Sequence, residues 1–169
     1  MAQHSGVVVL AFGTPGTIHA NDCIGDIATR LAVAANLPVF RQCHIRVGEG
    51  LAITDADEEG TIGGANTLMM AYQAVEWARF KALDTLYLAA AAPHMTRCLR
   101  DFKYAARKRG VDVNIQACSG VSDYSDADWF DPASTQSRTR SRRVWDVWEF
   151  IVLRIMPMWF YERISIRPR

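Results

Sequence analysis

Apolar positions along the chain fall into two rhythms, which alternate. Residues 7–12 (Val-Val-Val-Leu-Ala-Phe) are continuously apolar and stop at Gly13, Pro15 and Gly16. Such a run predicts a strand covered on both faces. Residues 22–35 then place Ile24, Ile27, Ala28, Leu31 and Ala35 on one helical face, with Asn21 or Asp22 available as a cap. Leu37-Pro38 closes this helix, and residues 39–45 read as a second, more polar strand. A helix over 67–82 follows from the stripe Leu68, Ala71, Tyr72, Val75 and Ala78.

Residues 86–92 are a third apolar run. Its alanines favour helix, but its shortness and its bounds, Asp84 and Pro93, favour a strand. The helix predicted over 94–109 has Met95, Leu99, Phe102 and Ala106 inward and ends at Gly110. Residues 111–118 alternate as a fourth strand through Val111, Val113, Ile115 and Ala117. Strands separated by helices predict an α/β fold: a three-layer, Rossmann-like domain with a mainly parallel sheet and helices on both faces. Ligands of such sheets collect beyond the carboxyl ends of the strands.

Two stretches break the alternation. Residues 46–65 hold five glycines and the acidic positions Asp55, Asp57, Glu58 and Glu59, and read as one long loop. After a polar stretch over 119–143, residues 144–162 are aromatic and apolar, with Pro157 expected to kink or end any helix. Trp145, Trp148, Ile151, Val152 and Ile155 are expected to pack on the domain or on a second copy.

With 169 residues, half of them apolar, the chain is expected to form a single domain over 1–169, ending in an aromatic, basic helical segment about 138–169. The net charge of +1 gives no general signal for nucleic acid. Its distribution changes that picture locally: residues 138–169 carry eight arginines against Asp146, Glu149 and Glu162, so the tail is at +5 and the remainder at −4. Either peripheral membrane contact or a homodimer through this tail is open. Cys23, Cys43, Cys98 and Cys118 form no Cys-x-x-Cys pair and are expected to be free thiols, which points to a reducing, cytoplasmic setting. Residues 7–12 are too few for a membrane span.

The candidate chemistry sits after the strands. The loop Phe12-Gly13-Thr14-Pro15-Gly16-Thr17 offers amides to a phosphate or carboxylate, though it lacks both the dinucleotide and the P-loop glycine spacing. The segment from Glu59 to Thr67 offers a carboxylate, hydroxyls and an amide at a helix start, with Thr61, Gly64, Asn66 and Thr67 as ligand contacts and Thr61 or Asn66 also able to serve as a cap. His94 and Arg97, three apart at the next helix start, can face one site. Histidine exchanges protons near neutrality, and arginine holds an oxyanion in a fixed fork. His19, His44 and His94 have no metal-ligand spacing, so no metal is expected and no cofactor is assigned.

These features taken in order resemble the YdcF/SanA/ElyC-like family of bacterial proteins, a domain-of-unknown-function family. The glycine loop after the first strand, Glu59 to Thr67 entering a helix, and His94-Met95-Thr96-Arg97 with Phe102 behind it carry the resemblance. So does Arg143-Val144-Trp145-Asp146-Val147-Trp148-Glu149, which is similar to the family's late Trp/Glu helix. Where the family often has a Ser-Gly-Gly turn, this chain has His44-Ile45-Arg46-Val47-Gly48. The resemblance implies a Rossmann-like fold and, for several members, a role in the cell envelope, without a settled reaction.

Three functions compete. In the first, the domain binds, hydrolyses or transfers a small phosphate-bearing or nucleotide-like molecule. His94 is then the acid/base, Arg97 the anion clamp, Glu59 a second proton acceptor, and Gly13, Thr14 and Gly16 the cradle. In the second, it is a non-catalytic, envelope-associated interaction module. The third is a chelatase-like protein, suggested by Leu10-Ala11-Phe12-Gly13-Thr14-Pro15, which resembles the opening strand of ferrochelatases.

Overall fold

The computed structural model describes residues 4–42, 45–57 and 66–166. Five strands, β1 (Ser5–Val9), β2 (Val39–Arg41), β3 (Ile53–Asp55), β4 (Thr85–Ala89) and β5 (Asn114–Ala117), form one sheet in the order β3-β2-β1-β4-β5. Every pairing is parallel, with Val7 opposite both Val39 and Tyr87. The central strand β1 is buried along its whole length, which explains its unbroken valines. Ser5 and Gly6 extend it ahead of the apolar run, and Leu10 leaves the ladder with its amide on the Ala89 carbonyl.

The helices are α1 (His19–Ala35), α2 (Thr67–Phe80), α3 (Ala92–Arg109), the short α4 (Asp126–Trp129), α5 (Arg142–Phe150) and α6 (Met158–Ser165). Right-handed crossovers put α1 on one face of the sheet and α2 and α3 on the other, where α2 and α3 pack together. Gly110 ends α3 at φ +63°, a left-handed conformation that glycine adopts without a steric penalty. Asn66 caps α2 by accepting from the Met69 amide.

Three expectations are corrected. The 46–65 stretch is not one loop, because Ile53-Thr54-Asp55 pairs as edge strand β3. It is short and half exposed, so no apolar run announced it. Asn21 and Asp22 do not cap α1, which begins earlier, at His19; Asn21 is buried and turned towards the β1 loop instead. The fourth strand is shorter than 111–118, and only Ile115 in it is buried, because β5 is the other edge.

Beyond β5 the chain crosses the carboxyl edge of the sheet and then runs back along α3. A 3-10 turn (Ser119–Asp123), α4 and a second 3-10 turn (Ser137–Thr139) lead into α5. The π-type stretch Ile151–Ile155 follows, and Pro157 starts α6, as its missing N–H and fixed φ allow. The tail is held to one face of α3 at every turn. Trp145 Nε1 donates to the Pro93 carbonyl (3.0 Å), Glu149 pairs with Arg97, and Arg100 donates to the Val152 carbonyl (2.8 Å). Further on, the Tyr161 hydroxyl donates to Asp101 (3.0 Å), and Glu162 accepts from Tyr104 (2.8 Å) and Lys108 (3.2 Å). The α3 positions 93, 97, 100, 101, 104 and 108 repeat at three and four, so they form one continuous stripe. Of the tail residues expected to pack, Trp145 and Val152 are buried and Ile151 partly so, whereas Trp148 and Ile155 stay exposed.

Among the described residues, no helix is long and apolar enough to cross a membrane. Cys23, Cys98 and Cys118 are free and buried; Cys43 lies outside the described residues.

Candidate functional site

From β1 the chain winds towards β2 and β3, and from β4 towards β5 in the opposite sense. The loops after β1 and β4 therefore part between these two strands, and the crevice that such a reversal leaves is where open parallel sheets bind ligands. Phe12 and Gly13 stand on one side of it and His94 on the other, with the Phe12 and His94 ring centroids 6.0 Å apart.

The β1 loop is pinned from below and covered from above. Gln42 Oε1 accepts from the Ala11 amide (2.6 Å) and Asn21 Oδ1 from the Phe12 amide (2.8 Å). Asn21 Nδ2 donates to the carbonyls of Gly13 and Pro15, both at 3.2 Å. Above, the Thr135 amide donates to the Thr14 carbonyl (2.7 Å). Gly13 has φ +99°, and a Cβ there would stand 2.7 Å from Thr139 Oγ1 and 2.8 Å from Ser134 Oγ. The tight cover, as well as the backbone angle, requires glycine here. The hydroxyls of Ser134 and Thr139 are thus over the loop expected to cradle an anion, while Thr14 and Gly16 remain partly exposed.

Pro93 near the start of α3 helps launch the helix that carries His94 and Arg97. Both side chains are buried rather than at an open mouth, at 5% and 6% exposure. His94 Nε2 is 2.9 Å from Thr67 Oγ1, so the first turns of α2 and α3 meet here. The His94 ring stands edge-on to Trp145, at 5.4 Å, and its Nδ1 is buried without a hydrogen-bond partner. Burial, reinforced by the cations Arg97 and Arg138, holds the imidazole well below its ordinary pKa, so it is neutral.

Arg97 lies over the Trp145 ring, 5.0 Å from its centroid, and its Nη1 is 3.4 Å from Glu149 Oε2. This is an ion pair without hydrogen-bond geometry: Arg97 Nε and both Glu149 oxygens have no hydrogen-bond partner. Burial pushes the Glu149 carboxyl up to about 7 against the pull of Arg97. In sequence, Glu149 belongs only to a helix resembling one of a family, and its four-residue spacing from Trp145 is the signal that both face inward. In the next turn of α3, Asp101 is fully buried between Arg100 (2.9 Å) and Tyr161. In sequence it reads as a solvated charge.

Of the predicted residues the structure thus brings together Thr67, His94 and Arg97, with Gly13 adjoining them through the Phe12 ring. It places Asn66 nearby as the α2 cap, its amide held by the Ser165 carbonyl (2.7 Å). Glu59, Thr61, Gly64 and His44 lie outside the described residues. No cluster of three or more His, Cys, Asp or Glu side chains suited to a metal occurs among the described residues. His19 bonds Asp128 (3.2 Å) and approaches Cys23 (3.5 Å) through the same nitrogen, Nε2. It cannot relay a proton between them as a triad histidine does with its two nitrogens.

A separate cleft of about 380 Å³ opens between α1 and the Ser119–Asp123 turn. Its charged groups are mutually satisfied, Arg30 donating to Asp123 at 3.1 Å. Buried polar atoms without a hydrogen-bond partner occur on Trp77, Arg100 and Trp129, but the neighbouring His94, Arg97 and Glu149 together hold four of them. This group has a fixed cation, a neutral base and a carboxyl that titrates near neutrality, in water-poor surroundings. It can hold an oxyanion and exchange a proton with it. No family model, curated protein or solved structure matches the chain.

Proposed function

We propose that the chain binds a small, phosphate-bearing molecule in the crevice between the carboxyl ends of β1 and β4 and moves a proton on it. Arg97 holds the anion, and His94 and Glu149 exchange the proton. The observation that carries this reading is the set of buried, unpartnered polar atoms: His94 Nδ1, Arg97 Nε and the two Glu149 oxygens. Buried polar atoms without partners are uncommon and costly. Acceptor oxygens of a ligand would satisfy Arg97 Nε and His94 Nδ1, and a protonated oxygen of the same ligand would donate to Glu149.

A thermal-shift screen with inorganic phosphate, sugar phosphates, nucleotides and S-adenosylmethionine tests this, since binding to the folded state raises the midpoint. The expected result is a shift with one phosphate-bearing class. Arg97→Lys should weaken that binding roughly 10- to 100-fold, the effect of losing a hydrogen bond to a charged group. Equal binding by the parent and by Arg97→Lys would place the site elsewhere.

A further inference from the structure

The ladder along α3 fixes which side of the tail faces inward, and so which side does not. On α5, Val147, Trp148 and Phe150 point away from the domain; on α6, Trp159, Phe160 and Ile164 do. Trp159 is 66% exposed and Val147 64%. Large exposed apolar surface of this kind marks an interaction face.

Most charges of the same segment are sorted by side. Of its three acids, Glu149 is buried against Arg97, Glu162 is turned inward to Tyr72, Tyr104 and Lys108, and Asp146 is held by Arg142 at 2.9 Å. Arg143, Arg154 and Arg163 are exposed, and no acid among the described residues pairs with them. Asp146 is exposed but paired with Arg142, so the outward face is aromatic, aliphatic and net cationic.

This sorting selects the occupant. In an isologous dimer the patch would meet its own copy, bringing unpaired arginines together. An anionic lipid surface complements it instead: the rings enter the headgroup boundary and the arginines meet lipid phosphates. We propose that the outer face of the tail, α5 through α6, docks peripherally on an anionic membrane.

Flotation of the full chain with phosphatidylcholine vesicles, with and without phosphatidylglycerol, decides it. Binding is expected only with phosphatidylglycerol, and it should fall as salt rises. Replacing Arg143, Arg154 and Arg163 together with Gln should weaken it on the order of 100-fold, given roughly fivefold per arginine. Trp159→Ser with Phe160→Ser should abolish it while leaving the thermal midpoint in place, because both rings are exposed. Absence of flotation at low salt, or equal flotation on phosphatidylcholine alone, overturns the proposal. So does a dimer in light scattering that the Trp159→Ser, Phe160→Ser variant dissociates, which would assign the face to a second copy.

Discussion

Glu149 and His94 are both buried near Arg97, and burial moves their titrations in opposite directions along the pH axis. The Glu149 carboxyl, ordinarily at 4.5, is raised to about 7. Between these values the folded chain keeps a proton that the unfolded chain releases, so the contribution of Glu149 to stability, fully present below 4.5, is lost as pH rises towards 7. His94 is lowered well below 6.5, so the unfolded chain takes up a proton first as pH falls under that value, and stability is lost on the acid side. Glu149→Gln removes the first effect and leaves the second. The stability of that variant relative to the parent should therefore climb between pH 4.5 and 7, by an amount on the order of a few kcal/mol. Urea denaturation of both proteins across this range measures it, and a flat difference would mean that Glu149 titrates as an exposed carboxyl. His94 and Arg97 were legible in sequence as a pair three apart at the start of a helix, but their depth was not. It comes from residues some fifty positions later that fold over them, and no local pattern around His94 reports that.

Element by element, legibility follows burial. The central strands β1 and β4 must be apolar on both faces and so are continuous runs, whereas edge strand β3 needs only backbone pairing and left no run to read. Helices α1, α2 and α3 announced themselves by the stripe that faces the sheet. The second stripe of α3 did not, because Arg100, Asp101, Tyr104 and Lys108 read as a solvated face until the tail is laid upon it. That stripe joins the tail to α3 by polar contacts beside the packing of Trp145, Val152 and Tyr161. Tyr161 illustrates this: its hydroxyl donates to Asp101, a carboxylate with no exposure of its own, and Arg100 lies over its ring at 4.9 Å. Tyr161→Phe removes the donor and keeps the packing, so it should cost about 1.5–3 kcal/mol, the usual worth of a hydrogen bond to a charged group. The loss should be local. Hydrogen exchange is expected to quicken by roughly tenfold or more across residues 151–166, as this loss of opening free energy implies, with β1 and β4 unchanged. Unaltered protection in the tail would show that the ladder does not hold it.

At the scale of the whole molecule, the alternation of runs and stripes implied a parallel sheet and the edge where a site would form. It could not give the strand order, which depends on how far each crossover reaches. The order matters because it places the reversal between β1 and β4, and with it Phe12, Gly13 and His94. One consequence can be tested without knowing any ligand. Cys23, Cys98 and Cys118 are 4%, 0% and 3% exposed, and they are distributed over α1, α3 and the end of β5, so together they sample both faces of the sheet. Burial raises all three thiols: Cys98 lies well above its usual range, and Cys118 is pushed up to about 12. The thiolate is the reactive form, so in the folded chain these three should react with a disulfide reagent only through opening of the fold. The expected result in native buffer is rapid modification of no more than one of the four cysteines, Cys43 being the one outside the described residues. The remaining three should react at a rate that rises with urea. Because Cys98 faces the core side of α3 rather than the tail, Tyr161→Phe should leave its rate controlled by the opening of the sheet, even as the tail exchanges faster. Prompt reaction of two or more thiols in the native protein would contradict the burial of at least one of Cys23, Cys98 and Cys118.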